Sequence, residues 1–133
     1  MFDQNGNLTP NAAFQQLVTG VDPAFTYYLP APFRPTGRIS IDNWIRELNI
    51  LQEVKGNYDM LFRPHVPDFM YDNIVGGMLV QAQRQLRAMA AAGSDAHLQW
   101  VFLQEQVAQI MEGVFEDRRG GLENIDIIIF GGE

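Results

Sequence analysis

The spacing of apolar positions changes along the chain, and each change predicts an element. Thr9-Pro10 reads as an N-cap with proline at the first helical position, and Phe14, Leu17 and Val18 recur at helical spacing until Gly20. Phe25-Thr26-Tyr27-Tyr28-Leu29 is aromatic and β-branched and stops at Pro30, which predicts a short strand at a sheet edge. Pro30, Pro32 and Pro35 then hold Ala31 to Gly37 extended, as a stiff connector or as an arm that carries Phe33 to a neighbouring subunit. Ser40 reads as the N-cap of a second helix, with Ile41, Trp44, Ile45, Leu48 and Leu51 on one face and Gly56 as its stop. Tyr58 to Phe62 follows as a strand.

Two long helices are expected next. Asp68, after Pro64 and Pro67, suits the positive end of a helix dipole, and Tyr71, Ile74, Val75, Met78, Leu79, Ala82, Leu86 and Met89 share one face. Gly76-Gly77 falls off that face. Gly93-Ser94 supplies a stop and an N-cap in consecutive residues, so His97 to Phe115 reads as a second helix, antiparallel to the first. Its broad face runs from Trp100 through Val107 and Met111 to Phe115. Leu98 and Phe102 project to the other side, among Glu105, Gln109, Glu112 and Glu116, where a monomer shows polar groups. Ile125-Asp126-Ile127-Ile128-Ile129-Phe130 is apolar on both alternating faces, the pattern of a strand covered on both sides. The expected fold is α/β of the α+β kind: a three- to four-stranded sheet against a long antiparallel helical hairpin, with two shorter helices.

Composition narrows the class. With 133 residues, 47% apolar and 19% charged, the chain is expected to form a single compact domain over residues 1–133. No apolar run reaches the ~20 residues of a membrane span, and the start lacks a signal-peptide pattern, which points to a cytoplasmic or virion protein. The absence of cysteine removes disulfides, thiol nucleophiles and the commoner zinc sites. A net charge of −7, with Lys55 the single lysine against eight arginines, argues against general binding to a phosphate backbone. Lys55, beside Gly56 at the expected helix end, reads as solvated.

Each candidate for chemistry has a plainer reading. His97 fits a satisfied polar group at a helix start. His65, between prolines, with Arg63 and Asp68, is the better candidate for a ligand site. Glu105, Glu112 and Glu116 fit a solvated face, and Ser40 and Ser94 fit caps. The glycine pairs lack the spacing of a phosphate loop. Arg118 and Arg119 suit a helix C-terminus, and with Arg84 and Arg87 they are the candidates for anion or nucleic-acid contact. Arg34, Arg38 and Arg63 are further arginines that folding can bring together.

By elimination the sequence points to no catalytic residue, no metal site and no cofactor. The surplus apolar residues Leu98, Phe102, Phe33, Ile128 and Phe130 point to an interface. The leading expectation is a non-enzymatic structural or assembly protein acting as a homodimer or higher oligomer, of the kind found in phage virions, with other assembly proteins as further partners. The alternatives are a small-ligand binder or enzyme using the His65, Asp68 and Arg63 cleft, and nucleic-acid contact through the arginine patch.

Overall fold

The computed structural model describes residues 10–20 and 27–130. The first helix, α1 (Pro10–Thr19), forms as expected and stops at Gly20, which takes a positive φ of 69°. The expected Thr9 cap, and Phe25 and Thr26 of the first strand, lie outside the described residues. β1 (Tyr27–Pro30) pairs antiparallel with β2 (Arg38–Ile41) in a two-stranded sheet. The proline-rich segment between them is neither a spacer nor an arm. It is a closed turn in which the Ala31 N–H donates to the Gly37 carbonyl at 2.8 Å and the Gly37 N–H donates to the Arg34 carbonyl at 2.9 Å. Gly37, at φ 72°, allows that reversal.

The helix expected from Ser40 to Gly56 is instead β2, β3 (Asn43–Ile45) and β4 (Ile50–Lys55). Ile39 and Ile41 are buried while Arg38 and Ser40 are exposed, the period-two pattern of a strand with one covered face. The chain then turns back between β3 and β4 at Asn49, whose φ of 53° a helix cannot contain and asparagine tolerates well. Tyr58 to Phe62 is not a strand either: Asp59–Phe62 is one 3-10 turn, opened by the Asn57 side-chain oxygen accepting the Asp59 N–H at 2.8 Å.

α2 (Asp68–Ala91) is the long helix the periodicity predicts, with Met78, Ala82 and Met89 buried. The next segment is the largest departure. His97 to Phe115 is not one helix but a strand, β5 (His97–Phe102), followed by α3 (Glu105–Arg118). Leu98, Trp100 and Phe102 alternate onto one face, and β5 is paired on both sides, so the strand is buried from Trp100 to Phe102 and exposed at His97. The antiparallel helical hairpin is therefore replaced by two crossovers. α2 leads from β4 to β5 and α3 leads from β5 to β6 (Asp126–Ile129), and both strand pairs are parallel.

The result is a mixed α/β fold with a four-stranded sheet in the order β3-β4-β5-β6 and a separate hairpin. Trp100, Phe102, Val107, Met111 and Phe115 fill the centre, with the Trp100 and Phe115 rings edge to face at 5.5 Å. Leu98 is 3% exposed and Phe102 0%, so the core covers these two of the five residues expected at a partner surface. β6 is an edge strand with alternating exposure rather than one covered on both sides: Ile127 and Ile129 are half-buried and Ile128 is exposed. Phe130, just beyond it, meets Phe14 of α1 edge to face at 5.5 Å. No helix among the described residues is long and apolar enough to cross a membrane.

Candidate active site

β4 lies inside the sheet and points its charged end at α2. Glu53 and Lys55 are two residues apart on a strand, so both side chains fall on the same face. Asp42 is the single bend residue between β2 and β3. Because β3 runs antiparallel to β4, with Asn43 opposite Gln52, Asp42 arrives beside the end of β4, where its Oδ2 accepts the Val54 N–H at 2.7 Å. The three side chains therefore meet at the carboxyl end of a strand in a parallel pair, the place where open α/β sheets bind ligands.

Glu53 and Lys55 are buried and held from α2, and Asp42 is half-buried beside them. Glu53 is 6% exposed and Lys55 8%. Lys55 Nζ stands 3.6 Å from Glu53 Oε1, donates to Gln81 Oε1, and lies 4.9 Å from the centre of the Trp100 ring. Gln81 Nε2 donates to Glu53 Oε1 at 2.9 Å and Gln85 Nε2 donates to Glu53 Oε2 at 2.7 Å. Gln85 is itself fixed, because its Oε1 accepts the Trp100 indole N–H at 2.9 Å. Gln81 and Gln85 are one helical turn apart on α2, so one face of one helix supplies both amides.

The electrostatics are unbalanced. Asp42 and Glu53 share a side-chain hydrogen bond, and Lys55 is the single cation set against the two carboxyl groups. Burial pushes Glu53 up to about 7, against the pull of Lys55, and the charge of Asp42 pushes in the same direction as burial. Burial also raises Asp42, although the Val54 N–H and Lys55 oppose it. Burial again, with the charges of Glu53 and Asp42, raises the nearby Tyr58 hydroxyl. A pair of carboxyl groups held together and short of positive charge is suited to a divalent cation, which would replace the shared proton. The donors are hard oxygens. Among the described residues no group of three or more histidine, cysteine or carboxylate side chains forms a closed metal cage. Two carboxylates are the kind of donor set that suits Mg²⁺, and the oxygens of Asp42 and Glu53 fit it by their chemistry.

Lys55, expected to be solvated at a helix end, is thus a buried member of the site, because it ends a strand and not a helix. Asp42 and Glu53 are not among the candidates that sequence reasoning produced. Arg34, Arg84 and Arg87 do converge. Arg34 and Arg84, with Gln81 and Gln85, line a cleft of about 310 Å³, and Arg34, Arg84 and Arg87 line a second of about 400 Å³ with Phe33. Phe33 is half-buried against the core, and the Arg87 guanidinium lies 4.1 Å from the centre of its ring. Arg118 and Arg119 are exposed at the end of α3 and line neither cleft.

Arg63, His65 and Asp68 are all exposed and line none of the clefts described here. His97 is exposed at the start of β5, and Glu105, Glu112 and Glu116 are exposed on α3. Ser40 lies in β2 and caps no helix, while Ser94 Oγ accepts the Ala96 N–H at 3.1 Å in the turn before β5. A separate, largely apolar hollow of about 180 Å³ lies between Tyr27, Leu29, Ile41, Trp44 and Leu51, and no charged residue lines it.

Residues 11–105 match the family described as Restriction endonuclease fold toxin 5. The matched span includes Asp42, Glu53, Lys55, Gln81 and Gln85, and stops where α3 begins. No curated protein matches the chain closely enough to count as a relative. The match overturns the expectation of a non-enzymatic structural, assembly or viral protein, and with it the exclusion of an enzyme. Helical spacing from Ser40 to Gly56 hides the cluster, because Glu53 and Lys55 share a face only on a strand. On a helix Glu53 and Lys55 would project about 200° apart; on a strand they share a face. The chain belongs to the restriction endonuclease fold toxin 5 family.

Proposed function

We propose that the chain is a nuclease toxin domain that hydrolyses phosphodiester bonds of DNA at the Asp42, Glu53 and Lys55 cluster. One observation carries the reading: a buried and a half-buried carboxyl group, Glu53 and Asp42, and the chain's single lysine, brought from separate segments to the carboxyl end of β4, with more negative than positive charge. Family membership supports the same reading.

Asp42 and Glu53 would hold a divalent cation, which supplies a Lewis acid for the phosphoryl oxygens and lowers the pKa of a water molecule. The chain's own residues do the remainder. Glu53 is orientated by Gln81 and Gln85, so its oxygens keep one position as substrate enters. Lys55 places a positive charge where negative charge grows on the phosphoryl group, in a buried setting that strengthens the interaction. Trp100 closes the floor of the site, and its indole N–H locks Gln85 against rotation.

The test is nicking of supercoiled plasmid by the purified chain with Mg²⁺ and with chelator, for wild type, Glu53→Gln and Lys55→Met. Cleavage by wild type with Mg²⁺, lost in both variants, is expected. Equal cleavage by all three would remove the reading.

A further inference from the structure

We propose that Arg34, Arg84 and Arg87 form a phosphate track that holds the substrate strand on one side of the scissile bond; this inference rests on the nuclease reading above. The chain is acidic, with sixteen carboxylate side chains against nine cations, yet no aspartate or glutamate lines either arginine cleft. Among the described residues the one ion pair is Lys55 with Glu53, so none of the three arginines is neutralised by a described carboxylate. A local positive groove on a negative molecule is a specific feature, because the overall charge would repel a polyanion everywhere else.

The groove is continuous with the site. Gln81, which holds both Lys55 and Glu53, lines the same cleft as Arg84 and Arg34, and Arg84 and Arg34 line the next cleft together with Arg87. At 1.5 Å per helical residue, Arg84 lies about 4.5 Å and Arg87 about 9 Å beyond Gln81 along α2. That span corresponds to roughly two to three nucleotides at the duplex rise of ~3.4 Å per strand residue. A linear array leading away from the reacting group fits a polymer better than a small anion, which needs one enclosed pocket.

Two of the arginines, Arg34 and Arg87, are also positioned by the hairpin. Arg34 sits in the closed β1–β2 turn, where its N–H donates to the Ala31 carbonyl at 3.0 Å and its carbonyl accepts the Gly37 N–H. Arg87 is laid over the Phe33 ring from the same turn, so the hairpin and α2 fix the two sides of the groove relative to each other. Arginines held in this way lose little conformational entropy when they take a phosphate.

The test uses binding of a short labelled DNA duplex in chelator, measured by fluorescence anisotropy between roughly 50 and 200 mM salt. Three proteins are compared: wild type, Arg84→Gln/Arg87→Gln, and a control with the same charge change, Arg46→Gln/Arg118→Gln, whose positions line neither cleft. All four positions are exposed, and circular dichroism verifies the fold of each. The expected result is a slope of log affinity on log salt shallower by roughly two for the groove variant, with the control unchanged. Equal slopes for all three, or equal loss in both variants, would overturn the track. Plasmid cleavage by wild type, measured in parallel with Mg²⁺, separates the two readings. Cleavage with no slope change discards the track alone, and absence of both binding and cleavage discards the nuclease reading and the track together.

Discussion

Glu53 is the residue at which the account is most exposed to test. Its carboxyl is pushed up to about 7 from an ordinary value of 4.5. Between those values the unfolded chain has already released the proton that the folded chain keeps. Stability therefore falls as pH rises from roughly 4.5 to 7, by an amount on the order of a few kcal/mol. Glu53→Gln removes that loss, so its Tm across this window is expected to be flatter than wild type, with a smaller slope left from Asp42. Thermal melts followed by circular dichroism at several pH values check this, and a wild-type Tm that rises steadily with pH would contradict it. The same linkage gives a cation effect. Mg²⁺ must displace the proton shared by Asp42 and Glu53, so it is expected to raise the wild-type Tm more above pH 7 than near pH 5, and to raise that of Asp42→Asn/Glu53→Gln little at either.

At the scale of elements, β5 is the strand on which the sheet and both crossover helices meet. Phe102 is fully buried between paired neighbours, so Phe102→Ala is expected to cost about 3 to 5 kcal/mol, seen as a lower midpoint in chemical denaturation. A cost under 1 kcal/mol would mean that the residue is not in the core. Trp100→Phe is subtler. It keeps most of the ring but removes the indole N–H that holds Gln85, so cleavage should fall several-fold more than stability would suggest.

The sequence made α1 and α2 legible because their apolar residues repeat at a single period with a clear stop or start. β5 was not legible because Leu98 and Phe102 are four residues apart, a spacing that fits one face of a helix as well as alternate positions on one face of a strand. Together with the helix beyond them they read as one amphipathic segment with misplaced hydrophobes. The site was hidden for the same reason. A strand reading of Ile50 to Lys55 would have left Glu53 and Lys55 on its inner face, and a buried charged pair in a chain with one lysine is the signal that marks them. The pairing of Asp42 with that strand depends on the β3–β4 reversal at Asn49 and could not be found from spacing alone.

For the whole molecule, charge is distributed against the average. A net charge of −7 gave reason to set nucleic acid aside, and it remains a fact about the surface as a whole. What composition cannot show is that Lys55, Arg34, Arg84 and Arg87 are gathered around and beside one site while the carboxylates of α3 face elsewhere. The fold does this with two devices: a central strand that ends in Glu53 and Lys55, and a crossover helix that carries Gln81 and Gln85 beside them and Arg84 and Arg87 further along. The most direct test is the single-turnover rate of DNA cleavage with Mg²⁺ by wild type and by Lys55→Met, both verified as folded. The expected loss in the variant is about 10² to 10³, the range for removing one charge-stabilising group. A variant that cleaves at the wild-type rate would contradict it.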